Sequence, residues 1–245
     1  MSRSRARDRS RPSGGPVLWT PAQRGAELIA WLDADPAYVT LATSAVAAWL
    51  DRSGNARNFS QSSAPNRFGH SASDAAYGGR AVLLGTGPGY LDADAAWSIA
   101  QPVTVYLVGE SGTNADWKTF IDDKIGTPRV VVRVDPTEQG SIYAGTANVT
   151  GTTLANAPAI MCAVFNGASS ALYIGSTTAA ASGNPGSQGL SQPRVGLAAP
   201  GPSYVAPVGW KMAELIFVSG ADDATERAQM LRYLSSKFAL SVTGL

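Results

Sequence analysis

What most restricts the folds open to this chain is its punctuation. Its 26 glycines and 15 prolines fall in short clusters through the body, so a turn interrupts the chain about every ten residues. Between turns lie short apolar or alternating runs rich in β-branched and aromatic residues, the pattern of half-buried strands in an all-β sandwich or barrel. The strand candidates are Val46 to Leu50, Ala81 to Leu84, Val103 to Val108, Arg129 to Val134, Ser141 to Ala144, Ile160 to Phe165, Leu172 to Ile174, Arg194 to Leu197 and Lys211 to Val218. Asn166-Gly167 joins two of them, and both residues tolerate the positive φ of a tight hairpin. With 44% apolar and 15% charged residues over 245 positions, a packed core is affordable for one large domain or two small ones. No internal repeat occurs.

Two segments depart from the strand rhythm. Thr20 followed by Pro21 predicts a short helix with Leu28, Ile29 and Leu32 on its apolar side, ending near Asp35-Pro36. Near the end of the chain, Asp222 or Asp223 with Glu226 forms a capping-box pattern. Ala228, Leu231, Leu234 and Phe238 then recur at helical spacing. Such an amphipathic helix must dock on the outside or edge of the sandwich. The stretch from Thr177 to Gln192 is rich in Gly and Ser and is expected to be a mobile loop.

The formal net charge of +1 hides an asymmetry. Residues 1 to 11 hold Arg3, Arg5, Arg7, Arg9 and Arg11 against the single Asp8, a local charge of +4, and the rest of the chain carries −3. The division expected is a basic arm over residues 1–16 and a sandwich domain over residues 17–245. Without apolar residues the arm cannot lie in a membrane as an amphipathic helix. Its uses are to neutralise phosphates or to enter an acidic groove on a protein partner; the plainer reading is a solubilising tail. Five arginines neutralise only a handful of phosphates, which argues against nucleic acid. The arm lacks the apolar stretch of a signal peptide, and no run has the length and purity of a membrane span. The sequons at Asn58 and Asn148 are read as chance.

The parts of most catalytic sites are missing. The lone Cys162 cannot form an intramolecular disulfide, and no Cys/His spacing suits zinc, so no cofactor or metal is expected. The only histidine, His70, has no nucleophile pattern around it. Gly85-Thr86-Gly87-Pro88-Gly89 reads as a turn, because proline interrupts it and no helix follows. Glycoside hydrolysis needs two carboxylates about 5 to 10 Å apart, and only Asp92 and Asp94 share a strand face at the right spacing. Sugar binding asks for less: an aromatic ring to stack on a pyranose and a few polar groups for hydroxyls. The glycan-binding candidates are Asp51, Asn55, Asn58, Tyr90, Trp97, Tyr204 and Trp210, with Asn66 beside them. For each aromatic, core packing is the competing reading.

Three segments carry a family resemblance. Trp49-Leu50-Asp51-Arg52-Ser53-Gly54-Asn55, followed by Gln61 and Arg67, resembles the opening of laminin-G/concanavalin-A-like jelly-roll domains of phage structural proteins. Ala163 to Tyr173 is similar to that family's central hairpin. Ala213 to Val218, with Tyr233-Leu234-Ser235-Ser236-Lys237-Phe238-Ala239-Leu240, is similar to its closing strand and terminal helix. The match runs over residues 26 to 240. It implies a two-sheet antiparallel jelly-roll sandwich and a non-enzymatic role on a virion or a gene transfer agent: head fibre or spike, decoration or tail component. On that reading the protein is made in a host bacterial cytoplasm and is oligomeric within an assembly. Its arm holds neighbouring particle proteins and its body faces host-surface glycans. No clear acidic set is present for the calcium ion that some relatives hold. Trp49 and Asp51 fit the motif as a buried indole and a carboxylate tying down the next turn. The alternatives are a glycan-active enzyme on the same fold, using Asp92 and Asp94, and a capsid-type jelly roll whose arginine arm binds nucleic acid.

Overall fold

The computed structural model describes residues 18–85, 87–113, 116–126, 129–154, 156–196 and 208–245. Those residues form two antiparallel sheets packed face to face. The first runs in the order β15 (Ala181–Gly183), β14 (Ser170–Ile174), β13 (Ala159–Phe165), β8 (Val103–Ser111), β17 (Trp210–Ser219), β6 (Arg80–Leu84) and β5 (Gly69–Asp74). β1 (Leu28–Asp33) also pairs with β17, along the half that β6 leaves open. The second sheet runs β12 (Val149–Thr153), β11 (Gln139–Tyr143), β10 (Val131–Val134), β9 (Lys118–Asp123), β16 (Pro193–Val195), β7 (Leu91–Ala93), β4 (Phe59–Ser60), β3 (Ala45–Trp49) and β2 (Val39–Ala42).

The central strands of the first sheet are buried on both faces, which is why they read as continuous apolar runs rather than as alternation. On β8, β13 and β17, Val105, Leu107, Met161, Ala163, Leu215 and Phe217 point into the space between the sheets. Their neighbours Tyr106, Val108, Ile160, Cys162, Ile216 and Val218 lie under a single helix, α1 (Ala224–Phe238). That helix docks on the outside of the sheet through Met230, Leu231, Leu234 and Phe238, as its spacing requires. Of the two aspartates, Asp223 is the cap. Its carboxylate accepts from the backbone N–H groups of Thr225 and Glu226, and Glu226 reaches back to the Asp223 N–H at 2.8 Å.

Three expectations need correction. The helix foreseen from Pro21 to near Asp35-Pro36 stops early. Pro21–Glu27 forms only 3-10 turns, broken by Gly25 at φ +57°, and Leu28–Asp33 is strand β1. Leu28, Ile29 and Leu32 fit a helical stripe, but a strand covered on both faces has no alternation to reveal it, and pairing with β17 decides the outcome. At the β13–β14 hairpin only Gly167 takes positive φ (+53°), whereas Asn166 sits at φ −149° and a 3-10 turn over Gly167–Ser169 closes the loop. The stretch from Thr177 to Gln192 is tied to the body: it contributes β15, and Leu190 bridges Ile99.

Candidate binding site

The loop that follows β3 is the element that organises the polar end of the sandwich. Trp49 is fully buried and donates its indole N–H to the Asp33 carbonyl at 2.7 Å. Asp51 accepts four hydrogen bonds, from the backbone N–H groups of Trp31, Ser53 and Arg57 and from the Ser53 hydroxyl. Asn58 Oδ1 receives the Asp51 N–H, and Asn55 Nδ2 donates to the Leu28 and Ile29 carbonyls at 2.7 and 3.1 Å. These side chains hold a taut loop in which Ala56 sits at φ +55°, a conformation that costs a non-glycine residue on the order of 1 kcal/mol. Asp51 is therefore the hub of the loop, with no lone pair left for a sugar hydroxyl.

The loop faces two clefts. The smaller, about 360 Å³, brings together three of the expected glycan contacts, Asn55, Asn58 and Trp97, with Arg57, Ala95 and Ala96. It offers little stacking surface. Trp97 is only 7% exposed, packed edge-on to Phe59 and Phe217, and the Arg57 guanidinium lies 5.0 Å from its ring centroid. Asn55 Nδ2 and Asn58 Oδ1 are committed to holding the loop.

The larger cleft, about 610 Å³, lies between α1, the end of β1 and residues 18–20. Trp19 and Tyr233, both half-buried, form its aromatic wall and meet edge-on at 6.2 Å; Trp31, only 4% exposed, packs edge-on to Tyr233 at 6.1 Å. Arg52, at the start of the loop, stacks on Trp31 at 3.7 Å and on Tyr38 at 4.7 Å. Two buried carboxylates, Asp33 and Glu214, stand in register on β1 and β17 at its floor. Glu214 accepts the Trp31 indole N–H at 2.5 Å, the Tyr233 hydroxyl at 2.8 Å and the Lys237 ammonium at 2.7 Å. Lys237 also reaches Asp33 at 2.6 Å, and Arg52 completes the Asp33 carboxylate. Around the opening stand Asp35, Arg80, Gln229, Arg232 and Ser236.

The floor is built to be rigid. Burial pushes the Glu214 carboxyl above its ordinary range, and the Lys237 charge opposes that rise. Burial, followed by the Glu214 charge, pushes the Tyr233 phenol up as well, so it stays a hydrogen-bond donor. Every group on the floor is engaged, which suits a surface that holds a ligand rather than one that trades protons with it.

The other sequence candidates lie apart from this cleft. Trp210 is fully buried and stacked on Phe68 at 4.8 Å, a core residue with no face for a ligand. Tyr90 is half-buried under the Arg194 guanidinium at 4.4 Å. The same Arg194 grips Asp92 with two hydrogen bonds, at 2.6 and 3.2 Å. Asp94 is exposed and accepts the Ser60 hydroxyl, so Asp92 and Asp94 do not form an acid/base pair. His70 contacts the Ala34 carbonyl through Nε2 at 2.8 Å, and the Asn66 carbonyl accepts the Tyr90 N–H. Tyr204 and the arm with Arg3, Arg5, Arg7, Arg9 and Arg11 lie outside the described residues. Among the described residues no group of three His, Cys, Asp or Glu side chains could hold a metal ion.

Sequence reading missed Trp19, Trp31, Asp33 and Glu214, yet traces were present. Glu214 is the one charge within the apolar run from Met212 to Val218, and Tyr233 and Lys237, four apart, share a helix face.

No protein-family model matches this chain, and no curated protein sequence matches it. Among solved structures, Trypanosoma rangeli sialidase in complex with sialic acid is similar with a TM-score of 0.58 at 12% identity, over 91% of this chain and 34% of the sialidase. Domain 4 of AbnA, a GH43 extracellular arabinanase from Geobacillus stearothermophilus, in complex with arabinotriose, is similar with a TM-score of 0.58 at 12% identity, over 85% of this chain and 98% of that domain. The binding domain of botulinum neurotoxin serotype D/C gives 0.54 at 10% identity, over 88% and 53%. This chain thus spans about a third of the sialidase but corresponds to nearly the whole arabinanase domain. At these identities the likeness establishes the fold, a two-sheet β-sandwich.

Proposed function

We propose that this chain is a non-enzymatic carbohydrate-binding sandwich whose saccharide site is the cleft between α1, β1 and residues 18–20. The observation that carries this reading is the cleft's construction: the half-buried Trp19 and Tyr233 form an aromatic wall over a locked ionic floor, with polar side chains at the opening. A pyranose or furanose presents C–H groups to such rings and hydroxyls to Asp35, Arg52, Gln229 and Ser236. The complex of AbnA domain 4 with arabinotriose lends support from a whole domain of this fold. The saturation of Asp33 and Glu214, and of Asp92 by Arg194, supports binding without turnover. The test is calorimetric titration of a glycan panel with wild type and Trp19→Ala. A glycan that binds wild type should bind the variant at least about tenfold more weakly, from the lost stacking area, with no reducing ends released. Binding of no glycan would refute the saccharide reading, and release of sugar would refute the non-enzymatic one.

A second part of the reading concerns residues 1–16. Five arginines in eleven residues, on a body of opposite sign, suit an anchor on neighbouring subunits of a phage-like particle. Ordering such a segment costs on the order of 1–2 kcal/mol per residue, which charge-assisted contacts would have to offset.

A further inference from the structure

The cleft holds more cations than its own carboxylates use. Lys237 and Arg52 match Asp33 and Glu214. Beyond them, Arg80 and Arg232 stand at the opening, both exposed, and among the described residues neither forms an ion pair. Arg80 is positioned by its strand and by its Nε–H, which donates to the Lys237 carbonyl at 3.2 Å. Arg232 is carried on α1 beside Tyr233, four residues before Ser236. Asp35 is the one carboxylate at the opening, and one of its oxygens already accepts the Ala37 N–H. Arg80 and Arg232 both line the same cleft as Trp19 and Tyr233, and a guanidinium fork suits a planar anion.

We propose that the cleft selects acidic saccharides, the carboxylate of a sugar acid being taken by Arg80 and Arg232 while its ring lies against the Trp19 and Tyr233 walls. This rests on the saccharide reading above and adds the class of sugar.

The test titrates the full chain with oligogalacturonate, oligomannuronate, oligoglucuronate and polysialate, each beside its carboxyl-reduced counterpart. At least one acid should bind about tenfold or more tightly than its neutral counterpart, and the preference should shrink as salt rises. Arg80→Gln and Arg232→Gln should each lower that preference about tenfold, with melting temperatures held near wild type. Lys124→Gln, at the end of the other sheet, should leave it intact. Trp19→Ala should weaken acid and neutral forms alike. Equal binding of the two forms, or preference surviving both arginine substitutions, would overturn this inference and leave the saccharide reading standing. Binding of neither form, to wild type at any salt, would overturn both.

Discussion

At the scale of single residues, Glu214 concentrates the physics of the site. A carboxylate within the apolar run of β17 is tolerated because an indole N–H, a phenol O–H and an ammonium all donate to it. Its pKa in the fold lies above the ordinary 4.5 because burial disfavours the charged form. The folded chain therefore holds that proton more tightly than the unfolded chain does. Stability contributed by this group falls as pH rises from about 4.5 toward its folded value and levels off beyond it. Glu214→Gln has no such proton. Denaturant unfolding of both proteins between about pH 4 and pH 7 should show the wild type's margin over the variant shrinking as pH rises; a margin that grows would contradict this assignment. Asp51 and Trp210 show why residue types alone misassign roles. Each has the chemistry of a sugar contact, but the first spends its lone pairs on the loop and the second its ring on Phe68.

At the scale of elements, the longer strands that could be read from sequence were buried ones made of apolar residues. β8, β13 and β17 declare themselves as apolar runs because both of their faces are covered. β4, β7 and β15 are two or three residues long and carry too little pattern. β9 was hidden for a different reason. Its sequence, Lys118-Thr119-Phe120-Ile121-Asp122-Asp123, looks like surface, yet all six residues are buried. Its charges are satisfied internally: Lys118 by Glu138, Asp122 by Arg129, and Asp123 by the Ser191 and Gln192 N–H groups. Helix α1 was legible in full, but that it forms a wall of the cleft was not, because the site needs α1, β1 and the loop after β3 together. Its docking rests on few side chains. Leu234, fully buried against the first sheet, should cost about 2–5 kcal/mol on truncation to alanine. Urea unfolding reads that loss, and a loss under about 1 kcal/mol would mean the helix is not held by this face.

At the scale of the whole molecule, a basic segment and a mildly acidic sandwich meet at Leu18, which lines the opening of the cleft. The sandwich was legible from turns and strand rhythm because its core follows local pattern. The cleft was not, because its parts are separated by about 200 residues of chain and join only through β1–β17 pairing. The two parts of the chain should separate in function. Removing residues 1–12 should leave the melting temperature of the body unchanged while abolishing its incorporation into particles; incorporation at the normal level would refute the anchoring role.

The central claim is that a saccharide sits in the cleft walled by Trp19 and Tyr233. The chain has six tryptophans, and each indole N–H gives its own resonance. Two-dimensional NMR of the labelled protein, titrated to saturation with its tightest glycan, reports on all of them at once. The Trp19 indole signal should shift, while those of the core residues Trp49 and Trp210 and of Trp97 in the smaller cleft should stay in place. Shifts confined to Trp97, with Trp19 unmoved, would contradict the account.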